Sequence, residues 1–339
     1  MGGGDHHPAE HALHRKEHAD PALALTPRTN DITTHAKSGV PDSSAEPTLL
    51  RLITHNVRYA ATELFPHERP WPERLPNLLR QFHHYAAGPF NPPSTIICLQ
   101  EVLQTQLEDL VTAFGGEWTH MGVGRDDGKE GGEFNPIFYR RECWKQVHFE
   151  TVWLSETPDQ PGLGWDAGSN RICTCLVLQS KQEGRGSGRI IILNTHLDNA
   201  GQLARRNGAM LILEYTRRWQ EKFKADHILL AGDLNSIRDE EHGAWKVLNA
   251  RDSGFVDVER LLGPADVRRF GDKITFTGFD GSGDDDPPGT LDFIHYGIAE
   301  NETVAEASRK LQSYSVVPNL FDDGVRCSDH RAVVVDLQL

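Results

Sequence analysis

Apolar runs of strand length recur along the chain, and most end abruptly in a residue that can bind a proton, a cation or a phosphate. The run Ile228-Leu229-Leu230-Ala231-Gly232-Asp233-Leu234-Asn235 shows the pattern most clearly. A continuous apolar stretch closed by glycine predicts a strand buried on both faces. It delivers Asp233 and Asn235 to its carboxyl end, where alternate positions of an extended segment point to one side. An isolated Asp-x-Asn reads first as loop capping, so the other runs decide its meaning.

They repeat the design. Leu49 to Val57 predicts a strand ending at Asn56, and Leu75, Leu78, Leu79 and Phe82 fall at helical spacing within Arg74 to Ala86. Thr95 to Glu101 is a short buried strand, after which Leu103, Leu107 and Leu110 mark a helix. An acid at that junction is costly to bury unpaired, which makes Glu101 either half of a buried salt bridge or a metal ligand. Strands and hairpins are expected from Trp118 to Leu178, interrupted by Gly-rich loops at Gly122 to Pro136 and Thr157 to Gly168. Arg171 precedes the strand Ile172 to Leu178, and Lys181 to Arg189 is a polar turn. Ile190 to Asp198 is another apolar run ending in hydrolytic residue types, His196 among them. The face Ala204, Gly208, Leu211, Tyr215, Trp219 and Phe223 predicts a long helix over Gln202 to Phe223. Further helices are expected around Trp245 to Leu248 and Val258 to Leu262, and strands at Ile274 to Phe279, Leu291 to Tyr296 and Ala332 to Leu337. Asp280 to Gly289 reads as an acidic exposed loop, and Ser328-Asp329-His330 stands before the last strand.

Alternation of strands and helices without a linker predicts one α/β domain over residues 48–339. Residues 1–47 are polar, rich in His, Ala, Pro and Ser and free of periodicity, so they read as a disordered tail whose histidines bind metal weakly at most. The formal net charge of −14 argues against a basic surface that holds long nucleic acid. It leaves a phosphate substrate open, because acids gathered around a divalent cation form a site far less negative than their sum. The five cysteines sit in apolar stretches and read as buried free thiols of a reducing compartment. Cys173 and Cys175 share a strand face but lack the further close ligands a zinc site needs. No run is long enough to cross a bilayer and no apolar signal core opens the chain, so an intracellular, soluble protein is expected, with no protein partner inferable.

The ordered set His55-Asn56, Leu99-Gln100-Glu101, Asn194-Thr195-His196-Leu197-Asp198, Gly232-Asp233-Leu234-Asn235, Leu291-Asp292-Phe293-Ile294 and Ser328-Asp329-His330 resembles the endonuclease/exonuclease/phosphatase superfamily of metal-dependent phosphoesterases. Trp153-Leu154-Ser155-Glu156, Gly164-Trp165-Asp166, Arg171 and Thr275 to Phe279 are similar to a branch near the nocturnin and deadenylase group. The resemblance implies a four-layer α/β/β/α sandwich of two packed mixed β-sheets with outer helices and the site at one edge. It implies that Glu101, Asn56 and Asp329 hold Mg²⁺ or Mn²⁺, hard cations that take oxygen ligands. Asp233 would orient or deprotonate the attacking water, and Asn235 would hydrogen-bond a phosphoryl oxygen. His330 would stabilise charge building on the phosphorus oxygens, with Asp292 fixing its tautomer. His196 would contact the phosphate or leaving oxygen, Arg171 would add fixed positive charge, and Trp165 would stack on a base or sugar.

Each of these has a plainer alternative: a core histidine for His196, a carboxylate-paired arginine for Arg171, a loop anchor for Trp165. His295 departs from the apolar residue usual after Asp292-Phe293-Ile294 in similar sequences. The expected activity is in-line hydrolysis of nucleic acid, DNA or RNA, on short or single-stranded segments or chain ends. The alternatives are a phosphatase or diesterase of small sugar, inositol or dinucleotide phosphates, and a catalytically silent binding protein of the same fold.

Overall fold

The computed structural model describes residues 49–87, 94–181, 188–280 and 287–339. The tail read over residues 1–47 lies outside the described residues, as does most of the turn after Lys181 and of the acidic loop after Asp280.

Strands β1 (Leu49–Asn56), β2 (Ile96–Gln100), β3 (Trp118–Met121), β4 (Ile137–Arg140), β5 (Trp144–Trp153), β6 (Ile172–Ser180) and β7 (Arg189–His196) are joined by helices α1 (Trp71–Phe82) and α2 (Gln104–Phe114). The 22-residue α3 (Gln202–Phe223) follows, then β8 (His227–Asp233), α4 (Ala244–Leu248), β9 (Phe255–Asp257), β10 (Arg269–Gly271), β11 (Asp292–Gly297), α5 (Val304–Lys310), β12 (Leu311–Val316) and β13 (Val333–Gln338). They form a seven-stranded sheet ordered β10-β12-β13-β1-β2-β4-β3 and a six-stranded sheet ordered β5-β6-β7-β8-β11-β9. Both are mixed: β1 runs parallel to β2 and antiparallel to β13, while β7 runs parallel to β8 and β8 antiparallel to β11.

The continuous apolar runs become inner strands, and their buried side chains fill the space between the sheets. Leu52, Ile96 and Val335 of one sheet pack in one core with Leu176, Ile192 and Ile294 of the other. A second core joins Leu193 and Leu230 to Ile212, Trp219 and Phe223 of α3, and a third joins Ile53 and Leu99 to Leu78 of α1 and Leu110 of α2. Helix, sheet, sheet, helix is therefore the order of layers, as the resemblance implied.

Three departures have physical causes. The helix expected over Arg74 to Ala86 begins at Trp71, with proline in its first turn where a missing N–H costs nothing, and closes in a π-helical turn at His83–Ala87. The segment Ile274 to Phe279 is no strand; Phe276 makes isolated bridges to Gly289 and His330, and Thr275 Oγ1 accepts the N–H groups of Leu291 and Asp292 at 3.0 Å. Its residues brace the loops that carry Asp292 and His330 instead of extending a sheet. The third departure is omission: α5 escaped the apolar pattern, although Thr303 and Glu306 form a capping box that announces it. β12 escaped because polar residues interrupt its run.

His295 is completely buried on β11, and Asn249 Nδ2 donates to its Nε2 at 2.9 Å. Burial pushes its pKa down to about 4, only partly opposed by Asp257. The folded state thus keeps this ring neutral while an unfolded chain protonates it near pH 6.5, so stability is lost as pH falls from about 6.5 toward 4. Replacing His295 with phenylalanine should remove up to about 3 kcal/mol of that loss, seen as a shallower pH dependence of the urea midpoint. An unchanged slope would refute the assignment.

Candidate active site

Strand register brings the polar strand ends together. His196 closing β7 and Asp292 opening β11 are the cross-strand neighbours of Asp233 at the end of β8. In the other sheet Asn56 at the end of β1 lies beside Gln100, which puts Glu101 one residue beyond. Asn56 then bridges the sheets, its Nδ2 donating to Glu101 Oε1 at 2.8 Å and to Asp233 Oδ2 at 3.0 Å. Beneath it, Gln100 Nε2 donates to Asn194 Oδ1 at 2.7 Å and Asn194 Nδ2 to Leu99 O at 2.8 Å, so a buried amide pair fixes the sheet spacing directly under the edge.

Backbone strain gathers at the same edge. Glu101 has φ 59° and Asn235 φ 46°, left-handed values that cost non-glycine residues free energy and persist where surroundings impose them. Gly232 is required, because a Cβ there would collide with the Thr195 carbonyl oxygen and drive β8 away from β7, and with it Asp233 from His196.

Asp233 Oδ2 lies 3.6 Å from His196 Nε2 and 3.7 Å from His330 Nε2. The other ring nitrogen of His330, Nδ1, is 2.8 Å from Asp292 Oδ2. Burial and the Asp292 charge raise the proton affinity of Asp233 above the usual carboxylate range. For His330, burial works against the charged ring, but Asp292 and Asp233 outweigh it and hold the pKa well above its ordinary value. Burial opposes ionisation of Glu101, yet His196, Arg58 and the Asn56 bond overcome it and bring the pKa to about 2. Burial, with Glu101 adding to it, pushes Asp329 up.

Asn235 is not aimed as an extended strand end would aim it. Its left-handed turn lets its backbone N–H donate to Asp233 Oδ1 at 2.9 Å, while Nδ2 donates to Leu197 O at 2.9 Å and to His196 Nε2 at 3.0 Å. The other His196 nitrogen, Nδ1, faces Glu133 Oε2 at 3.6 Å. Arg171 is buried and engaged, Nε with Asp198 Oδ2 at 3.0 Å and Nη2 with Asn199 Oδ1 at 2.9 Å, while its buried Nη1 has no hydrogen-bond partner among the described residues. Trp165 is half-buried with φ 52°, and Asp166 beside it accepts the N–H groups of Leu203 and Ala204, docking the loop on the start of α3.

Three groups escaped the sequence pattern. Arg58 lies 4.0 Å from Glu101 Oε2 and pairs with buried Glu68. Arg74 is fully buried and donates to the carbonyls of Val57, Arg58, Tyr59, Arg69 and Cys327, so it splints the loops beside Asn56 and Asp329. Glu133 comes from a Gly-rich loop. Only the basic residue inside an otherwise amphipathic helix was a signal, and it reads first as a solvated position.

Two donor sets could hold a cation. Ligand atoms of Asp233, Asp292 and His330 lie within 4.8 Å of one another. Both nitrogens of His330 face carboxylates there, however, which keeps the ring protonated, and a protonated imidazole cannot ligate metal. Glu101 and Asp329 fit a hard cation better: they are oxygen donors, the two acids repel each other, and Asp329 Oδ2 receives no hydrogen bond from the described residues, whereas Asn56 turns its Nδ2 to Glu101 and its Oδ1 accepts the Arg58 N–H at 3.0 Å. A cavity of about 660 Å³ lined by Glu302, Glu306, Arg309 and Lys310 touches none of these groups.

A histidine held between acids beside an oxygen-donor pair, at one edge of a two-sheet sandwich, is the arrangement a hydrolase of phosphoric esters needs. The chain belongs to the Endonuclease/Exonuclease/phosphatase family, whose model matches residues 53–330. A mannosyl-6-phosphatase from Bacteroides thetaiotaomicron VPI-5482 is 25% identical, with TM-score 0.68, over 86% of this chain and 100% of that one. The human Nocturnin catalytic domain with bound sulfate is 18% identical, with TM-score 0.59, over 86% and 95%. TDP2 from D. rerio, complexed with single-strand DNA product, is 16% identical, with TM-score 0.61, over 86% and 99%. No curated protein matches the chain in sequence. Among the described residues no helix is long and apolar enough to cross a membrane, and the five cysteines are buried free thiols.

Proposed function

We propose that the protein is a divalent-cation-dependent nuclease or phosphodiesterase that hydrolyses nucleic acid on short or single-stranded segments or at chain ends. The convergence of Asn56, His196 and His330 on Asp233 Oδ2 carries this reading. Glu101 and Asp329 would hold Mg²⁺ or Mn²⁺, with Asn56 joining through Oδ1 once its amide turns from the Arg58 N–H, and the ion supplies positive charge to the phosphoryl oxygens when bound. Asp233, its proton affinity raised, takes the proton of the attacking water as the new oxygen–phosphorus bond forms and the opposite one breaks. His330 donates its Nε2 proton to a phosphoryl oxygen, and Asp292 holds the ring by Nδ1. His196 and Asn235 act as one hydrogen-bonded unit at the phosphate, so a phosphate bond from the Asn235 amide displaces its bond to His196 or to Leu197. Arg171 offers the buried Nη1 to the substrate, and Trp165 offers a ring face to a base or sugar.

One observation favours a second reading, a phosphatase of a small sugar phosphate: the mannosyl-6-phosphatase likeness exceeds those to Nocturnin and to the TDP2 bound to single-strand DNA product in both identity and TM-score. A panel of end-labelled DNA and RNA oligonucleotides, bis(p-nitrophenyl) phosphate and mannose 6-phosphate, each with Mg²⁺ and with Mn²⁺, separates them. Oligonucleotide cleavage with mannose 6-phosphate untouched is the expected result. The reverse preference selects the second reading, and hydrolysis of nothing leaves a binding protein.

A further inference from the structure

Beside the cation-type edge lies a polar groove of about 440 Å³ whose border includes His67, Glu68, Arg69, Asp280 and Arg326. It is joined to the site on two sides. Glu68 pairs with Arg58, which lies 4.0 Å from Glu101 Oε2. Arg326 stands three residues before Asp329, and its Nη1 donates to Asn319 Oδ1 at 3.2 Å. The Nδ2 of that same Asn319 donates to Ser328 O at 2.8 Å and His330 O at 3.3 Å. The groove wall and the loop bearing Asp329 and His330 therefore form one hydrogen-bonded piece.

The charges of the groove are unevenly spent. The Glu68 carboxylate is taken up by Arg58, Arg74 and the N–H of Phe65. Arg69 and His67 are exposed and have no ionic partner among the described residues. Arg326 has no carboxylate partner among them either, yet its guanidinium is held in place by Phe279 O at 2.9 Å as well as by Asn319. Arg326 is therefore a guanidinium fixed by neutral oxygens with no acid paired with it among the described residues. A pre-oriented guanidinium loses little freedom when it binds an oxyanion. Asp280 is the acid on the border that a bound anion must avoid.

We infer that this groove is a second anion subsite, which binds a phosphate of the substrate other than the one being cleaved, through Arg326 and Arg69. The inference rests on the reading of the adjacent edge as a phosphoric ester hydrolase. It specifies the substrate class as one with at least two phosphates, an oligonucleotide or dinucleotide in place of a sugar monophosphate.

The test compares a single-stranded pentanucleotide with bis(p-nitrophenyl) phosphate, which carries one phosphorus only, on the wild type, Arg69→Ser and Arg326→Gln. The ratio of kcat/KM for the pentanucleotide to that for the small diester should fall about tenfold in each variant. Arg69→Ser, whose side chain makes no hydrogen bond among the described residues, keeps the test valid if Arg326→Gln loosens the loop. The salt dependence of log kcat/KM on the pentanucleotide should also become shallower by about 0.7 for one lost contact to a single strand. A ratio and salt slope unchanged in Arg69→Ser overturn the subsite while leaving the hydrolase reading intact. A wild type that cleaves neither substrate defeats the hydrolase reading itself.

Discussion

An Asp233→Asn variant should hydrolyse bis(p-nitrophenyl) phosphate about a thousandfold more slowly than the wild type while keeping its fold and melting temperature within a few degrees. The rate effect follows from position. Among the described residues Asp233 is the one acid paired with two histidines, and burial beside Asp292 holds its proton affinity up. An amide of the same shape cannot accept a proton from water. The stability effect is the balance of two opposing changes. Asparagine keeps one acceptor for the Asn235 N–H and turns its amino group toward the amide of Asn56, losing one hydrogen bond. It also removes a buried negative charge that Asp292 repels. A tenfold effect or less on kcat would remove Asp233 from the reaction; a collapse of the melting temperature would make it a structural group.

Why those groups were legible in the chain, and others not, has a physical basis. A strand buried on both faces must be apolar, so the polar residues that close it stand out: Asp233 directly after its run, and Asn56, Glu101 and His196 behind Thr54-His55, Gln100 and Asn194-Thr195. Their chain order carries the resemblance, and the two-sheet sandwich follows from it. Conformation does not show in this way. Nothing in Leu99-Gln100-Glu101 announces a left-handed Glu101, and nothing in Asp233-Leu234-Asn235 says that Asn235 turns toward His196 in place of facing the same way as Asp233. Charges buried by tertiary structure are equally silent. Arg74 lies in a helix whose sequence allows a solvated arginine, and only the return of the chain at Cys327 encloses it. Glu133 reaches His196 from a loop whose glycines report flexibility and not direction.

The same distinction governs charge. The sum of −14 is a property of the whole surface and lowers nonspecific affinity for polyanions. In the proposed subsite selectivity is set locally, where Arg326 and Arg69 have no ionic partner among the described residues, beside Glu101 and Asp329, which a bound cation would neutralise. On that reading, an acidic protein with arginines placed at one groove would favour short, flexible phosphate chains that can enter the edge over long duplexes that must lie along the surface.

Glu101→Ala and Glu101→Gly should both be inactive, but the glycine variant should be the more stable by about 1 kcal/mol, or roughly 2 °C in melting temperature, when no divalent cation is present. Both lose the carboxylate, along with its bonds from Asn56 Nδ2 and the Tyr59 N–H, so those losses cancel in the comparison. What differs is the backbone: φ is 59° at this position, strained for alanine and free for glycine. Heat of Mn²⁺ binding, measured by titration calorimetry, should be present in the wild type and absent from both variants. A glycine variant no more stable than alanine would mean that the loop relaxes once the carboxylate is gone, and that the carboxylate itself holds the turn. Mn²⁺ heat retained in both would move the cation to the Asp233, Asp292 and His330 trio. The expected pattern instead makes Glu101 a residue kept at a conformational cost, because the left-handed turn at the end of β2 is what carries its carboxylate between Asn56 and Arg58.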